Sequence, residues 1–269
     1  MLRDITLGQY FPGNSVIHRL DPRTKLIGLV LYIVCLFLAA DYISYGVMLL
    51  FLIGVIIAST IPVKTIFSGM KPLAFVLVFT GLLNLFLTDG PTKLVTLFWG
   101  LEITLEGIKH AAFMVIRILM LVSGTFLLTY TTSPIALTDG LESLLKPLKV
   151  IRVPVHELSM MMCIALRFIP TLIEETDKVM CAQKARGADF ETGSLFSRAK
   201  ALIPILVPLF ISAFRRADEL AIAMECRCYQ GGEGRTKMKI LRYRRADIFS
   251  FFGVFVLLGG CIALNVFGL

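Results

Sequence analysis

With 269 residues, of which 57% are hydrophobic and only 17% charged, and a mean hydropathy of +0.81, the chain is not an ordinary soluble domain, where about a quarter of residues are charged. The net charge of +8 suits a membrane protein with basic loops beside anionic lipid. It does not point to nucleic acid, because no stripe of Lys and Arg interleaved with aromatics stands outside the membrane-proximal segments.

Met1 to Lys25 is polar and mixed, with no early apolar core followed by a cleavage site. Pro12-Gly13-Asn14-Ser15 is a turn-forming cluster, and Asp21-Pro22 reads as an N-cap followed by proline at the first helical position. The helix so begun carries Arg23 and Lys25 at its foot and turns apolar at Leu26. Leu26 to Ala40 and Tyr45 to Ile61 are two apolar runs broken by Asp41. The first is short for a span unless its basic foot snorkels to the interface. Pro72 to Leu87 is a third run, ended by Asp89-Gly90-Pro91, and after a moderately polar loop Glu106 to Tyr130 contains a fourth.

Ser133-Pro134 marks another helix start, and Pro134 to Lys149 is amphipathic. Ile135, Leu137, Leu141, Leu144, Leu145 and Leu148 form one face, with Asp139, Glu142, Lys146 and Lys149 on the other. A longer helix begins at Val153-Pro154, is apolar around Met160 to Ile169, meets Pro170, and ends at Arg186-Gly187. A third runs from about Phe196 through Pro204 and Pro208 to Arg227. Helices apolar at one end and charged at the other lie in the interface rather than across it. Basic residues from Arg235 to Arg245 hug the lipid surface, and Asp247 to Leu269 is a last run long enough to cross.

The expected fold is an all-α integral membrane protein. Residues 1–132 hold an N-terminal segment and four transmembrane helices, 133–245 a cytoplasmic or interfacial insert of long amphipathic helices, and 246–269 a fifth span. Between Pro134 and Ala246 lie 18 of the 27 Lys and Arg and 12 of the 19 Asp and Glu, which sets the water-facing insert apart from the lipid-facing runs. Basic residues cluster before the first run, between the second and third, and after the fourth, which places the N-terminus and the insert in the cytoplasm.

Familiar catalytic and metal motifs are absent. No Gly-Lys pair exists for a phosphate-cradling loop, and neither His-Glu-x-x-His nor Gly-x-Ser-x-Gly occurs. The six cysteines make no disulfide framework, and Cys226-x-Cys228 offers too few ligands for a metal. No catalytic or metal residue is expected. Arg117 and Arg167 stand in apolar surroundings, where a transport path competes with the plainer reading that each reaches an interface or pairs with Glu106 or Glu157. Asn84 reads as glue between helices rather than a ligand.

The informative pattern is a repeat. Asp177 and Asp218 each stand nine residues before an arginine, Arg186 and Arg227, and Ala182 and Ala223 stand four before. Small residues flank each arginine: Ala185 and Gly187, then Cys226 (preceded by Glu225) and Cys228. A glycine follows shortly, Gly187 or Gly231-Gly232, so each copy reads as a helix whose last turn presents one arginine. A cation favoured by the helix dipole explains either arginine alone. Matching spacing in both copies points instead to two similar sockets on a dimeric partner, each meeting the guanidinium with a carboxylate.

Ala185-Arg186-Gly187 and Cys226-Arg227-Cys228 resemble the paired arginine motifs of the energy-coupling factor T component, the transmembrane coupling subunit of vitamin and metal importers. Tyr10-Phe11-Pro12-Gly13-Asn14-Ser15 and the stretch His18 to Lys25, with Leu20-Asp21-Pro22-Arg23, are similar to that family's entry into its first span. Ala223-Met224-Glu225 before Arg227-Cys228-Tyr229 fits as well; Cys226 stands where the family more often has Ala. The resemblance implies a multi-pass protein of a prokaryotic cell membrane, with Asp177, Asp218 and Glu225 supporting two docking tips. Two ABC-type ATPases, which bind ATP and Mg themselves, would accept Arg186 and Arg227. A separate small membrane subunit would capture the substrate, and it would contact this chain on a sliding surface of Leu141, Leu144, Leu145, Leu148, Met160, Met161 and Ile164. The rival reading is a self-sufficient secondary carrier or channel, which needs a polar path at mid-membrane that these runs lack; a membrane-embedded enzyme is weaker still.

Overall fold

The computed structural model describes residues 10–39, 41–88, 93–96, 102–188, 190, 194–232, 234 and 240–267. Nine α-helices and one short strand pair account for most of these residues: α1 (Pro22–Leu38), α2 (Tyr42–Ser59), α3 (Val63–Met70), α4 (Ala74–Leu87), β1 (Lys93–Thr96), β2 (Glu102–Thr104), α5 (Leu105–Thr131), α6 (Pro134–Leu145), α7 (Val155–Ala185), α8 (Leu195–Cys226) and α9 (Arg245–Phe267). The protein is thus an all-α membrane protein in class. Five helical stretches among the described residues are long and apolar enough to cross a membrane: Tyr42–Ser59, Val63–Leu87, Leu105–Thr131, Val155–Ala185 and Arg245–Asn265. α1, at 17 residues, sits at the lower limit for a span, whereas α7 qualifies through its apolar first half. The third run starts at Val63 rather than Pro72. Pro72 falls in a single tight turn, Lys71–Leu73, that joins α3 to α4 without breaking the apolar stretch.

The described residues fall into two compact units, one of Gly8–Gly140 with Leu241–Leu269, the other of Leu141–Ile240. In the first, α1 packs on α9 and α5, and α4 on α5. Its core includes Tyr32, Cys35, Leu36, Met48, Met120, Leu127, Tyr130 and Cys261. Lipid is as apolar as these side chains, so close contact rather than water exclusion must hold the helices together. Gly124 shows this: a Cβ there would lie 2.9 Å from Tyr32 Cε1.

α1 is pinned at both ends. Asp21 caps it, its carboxylate accepting from Arg23 N at 2.9 Å, with Pro22 at the first position. Asp21 N in turn donates to Asp247 Oδ1 at the start of α9 (2.8 Å). Lys25 Nζ donates to Thr131 O (2.9 Å) and Thr132 Oγ1 (3.2 Å), a cation at the C-terminal end of α5. At the far end Arg117 Nη2 donates to Ala39 O (3.1 Å) and lies over the rings of Phe37 and Tyr45. Arg117 therefore meets the carbonyl end of α1 rather than Glu106, because that end presents unsatisfied oxygens at the same depth. Asn84 likewise turns to its own helix, donating to Thr80 O at 2.9 Å, rather than across to a neighbour. The loop before α5 pairs β1 antiparallel with β2, Lys93 facing Thr104.

In the second unit α7 and α8 form an antiparallel hairpin. Glu175 accepts from Ser212 Oγ and from Arg216 Nη2 (2.9 Å), and Gln183 Nε2 reaches Pro204 O (3.5 Å). Rising numbers on one helix thus meet falling numbers on the other. Ser133 Oγ accepts from Ala136 N (3.3 Å) at the start of α6. That helix stops at Leu145 instead of reaching Lys149. Pro147, which has no N–H to donate, lies in the tighter turn Lys146–Ile151 that follows.

Candidate partner-docking site at two capped helix ends

Arg186 follows Ala185, the last residue of α7, and the chain there closes in two reverse bonds. Gly187 N donates to Lys184 O (3.0 Å) and Ala188 N to Gln183 O (3.0 Å), with Gly187 at φ +86°. This is the Schellman arrangement, with the arginine at the C-cap and the left-handed residue just after it. α8 ends in the same way. Cys228 N donates to Glu225 O (2.8 Å) and Tyr229 N to Met224 O (3.0 Å), with Cys228 at φ +55°. The repeat read in side chains is therefore also a repeat in backbone geometry, and both arginines occupy the same position in it.

One detail differs from expectation. Cys228, not Gly231 or Gly232, takes the left-handed position that stops α8, three residues before Gly231 at φ +87°. A residue with a Cβ is strained there. Gly187→Ala should accordingly weaken the α7 cap by about 1–2 kcal/mol, while Cys228→Gly should tighten the α8 cap by up to about 1 kcal/mol. Amide hydrogen exchange at Ala188 and Tyr229 reads the two changes, and equal exchange in parent and variants would refute the strain argument.

Both arginines are exposed, and no carboxylate among the described residues pairs with either guanidinium. Ala185, Gly187, Cys226 and Cys228 are exposed beside them, so each tip is narrow. The supporting acids do not reach the arginines. Nine residues at about 3.6 per turn place Asp177 and Asp218 on the opposite helix face from Arg186 and Arg227. Asp177 is half-buried, and Asp218 and Glu225 are exposed.

The hairpin sets the tips far apart. Arg186 stands at the turn between the helices, near Pro204, and Arg227 at the other end. From Pro204 to Arg227 the helix advances about 35 Å. Beyond the second tip the chain passes against the start of α7, where a Cβ on Gly232 would collide with the His156 ring. His156 and Ser159 also hold Glu142, at 3.3 Å from Nδ1 and 2.9 Å from Oγ. Glu142 is consequently buried (7% exposed) instead of lying on the wet face of α6. That pairing joins residues too far apart for helical periodicity to reveal.

Among the residues expected to meet a substrate subunit, Met161 is exposed, while Leu141, Leu144, Leu145, Leu148, Met160 and Ile164 are half-buried. More prominent are Val150 and Ile151 (88% and 72% exposed), in the turn after α6, and Phe196, Phe210 and Phe214 on α8. Val150 and Ile151 escape a periodicity argument because they lie in a tight turn. The N-terminal residues do a different job. Leu20 is half-buried, Asp21 and Pro22 start α1, and Arg23 lies over the Tyr243 ring at 5.5 Å. His18 bridges Ser15 Oγ (2.7 Å) and Phe11 O (3.0 Å), and Phe11 N donates to Tyr130 O at 2.9 Å, so this motif ties helix ends together. Arg167 is exposed on α7. The described residues contain no group of three or more potential metal ligands.

The chain is similar to known proteins over almost its whole length. The family model described as cobalt transport protein, CbiQ, matches residues 13–238. A protein of Thermosediminibacter oceani named energy-coupling factor transporter transmembrane protein EcfT is 56% identical over 97% of this chain and 98% of its own. Proteins of the same name from Ruminiclostridium cellulolyticum (56% identical, 92% of each chain) and Bacillus subtilis (48% identical, 92% of this chain and 93% of its own) are also similar.

Proposed function

The chain belongs to the CbiQ cobalt transport protein family, and on that premise we propose that it is the coupling subunit of an energy-coupling factor importer. It links two cytoplasmic ATPases, which hold the ATP and Mg, to a small membrane subunit that captures a vitamin or other micronutrient. The observation that carries this reading is the pair of identically capped, exposed arginines at opposite ends of one hairpin. Tips about 35 Å apart cannot share a socket, so they fit two equivalent sockets on a dimeric motor. A guanidinium held at a rigid helix end gives a forked contact with a carboxylate at little cost in side-chain order.

The membrane unit supports a cytoplasmic orientation for one of its ends. The starts of α1 and α9 and the end of α5 converge through Asp247 and Lys25. Arg19, Arg23, Lys25, Arg242, Arg244 and Arg245 cluster at that end, which favours the cytoplasmic side. In the chain, α6, α7 and α8 follow the end of α5 and precede the start of α9. Pull-down of the full chain from native membranes is expected to bring two nucleotide-binding subunits and at least one small membrane protein. A membrane-impermeant maleimide should reach Cys226 and Cys228 in inside-out vesicles only. Transport by the chain alone in reconstituted vesicles, or labelling of those thiols from outside, would replace this reading with that of a self-sufficient carrier.

A further inference from the structure

We propose that the membrane unit holds one acyl chain of a bilayer phospholipid in a groove walled by α1, α2, α5 and α9. The groove has a volume of about 640 Å³ and is almost wholly apolar, within the ~300–1,000 Å³ range of ligand sites. Each wall contributes a glycine: Gly28, Gly54, Gly124 and Gly253. Gly124 is explained by its close approach to Tyr32. Gly54 and Gly253 are not, because a Cβ at either position would meet nothing within 4 Å. Glycine is less favourable than alanine inside a helix, and here it leaves open a space that no side chain among the described residues enters.

The groove is also polar at one end. Thr24, only 2% exposed, lines it with a hydroxyl that has no hydrogen-bond partner among the described residues. Lys25 and Thr131 stand at the same level and place a cation there. From Thr24 to Tyr32 the groove runs about 12 Å along α1. That approaches the depth of one leaflet, half of a hydrocarbon core ~30 Å thick. An occupant apolar for a leaflet's depth and polar at the head-group end is a lipid. Its glycerol ester carbonyl accepts from Thr24 Oγ, and its phosphate lies at the level of Lys25.

Native mass spectrometry of the full-length chain tests the assignment. After extraction and washing in detergent, the parent is expected to retain one phospholipid per chain, and delipidated parent to take up one 1-palmitoyl-2-oleoyl-phosphatidylglycerol. Gly54→Leu with Gly253→Leu fills the groove and should lower the lipid-bound fraction at least fivefold without lowering the melting midpoint. Thr24→Val, which breaks no hydrogen bond among the described residues, should lower it about threefold or more and decides the matter if the filled variant does not fold. Equal retention in parent and Thr24→Val, or in parent and a folded filled variant, overturns the proposal. So does a filled variant that keeps its lipid but loses a co-purifying membrane protein, which would assign the groove to a partner helix.

Discussion

Arg186→Ala combined with Arg227→Ala should abolish binding of the ATPase pair to the chain in lipid nanodiscs, while each single variant weakens it without abolishing it. Truncating one partner of a buried, hydrogen-bonded charge pair costs about 2–5 kcal/mol, roughly thirty-fold or more in Kd. The two tips share no contacts and stand about 35 Å apart, so their effects should add. A single variant keeps one tip engaged, and the joined partner holds the second near its socket by effective concentration. Arg→Lys at either tip should fall between parent and alanine, because an ammonium keeps the charge but loses the fork. Folding should be unaffected, since both arginines are exposed and no carboxylate among the described residues pairs with either; the melting midpoint separates lost docking from lost structure. A double alanine variant that binds the ATPases as the parent does would remove the basis for the docking role.

Local signals were the legible part of this molecule. Asp21-Pro22 and Ser133-Pro134 announced two helix starts because a capping side chain and a pre-set φ act within a few residues. The arginine repeat marked the ends of α7 and α8 for the same reason. The end of α8 at Arg227 is legible, but the residue that turns the chain is not: Gly231-Gly232 offers the cheaper left-handed residue, yet the chain turns at Cys228 and accepts strain there. Contacts between distant segments were hidden. Nothing in the run around Arg117 indicates that Ala39 O will be its acceptor, and no heptad pattern shows that Ser159 will bury Glu142. The same limit applies to the groove beside Gly54 and Gly253. Each glycine looks like a tolerated weak spot in its own helix, and only the assembled helices show that both face one space.

Asp247 carries the second large effect, because one carboxylate joins two helix starts. Asp247 is the third residue of α9, and its Oδ2 accepts from Arg244 N at 2.6 Å, the reciprocal half of a capping box. Oδ1 accepts at 2.8 Å from the backbone N of Asp21, which is the N-cap of α1. Both helices thus point their positive ends at a single buried anion, Asp247 being 0% exposed. At the opposite end Asn265 Nδ2 reaches Leu38 O (3.4 Å), so α1 and α9 run parallel from this shared anchor. Asp247→Ala leaves two backbone donors without partners, at about 1–3 kcal/mol each, and removes the negative charge opposite Lys25. The expected loss is about 3–5 kcal/mol of stability, read as a lowered thermal midpoint and as new tryptic cleavage after Arg244 and Arg245. Asp247→Asn keeps one acceptor oxygen but turns an NH2 toward the other donor, so it should fall between the two. If Asp247→Ala instead melts within about 0.5 kcal/mol of the parent, α9 is held to α1 by apolar packing alone and the shared cap is incidental.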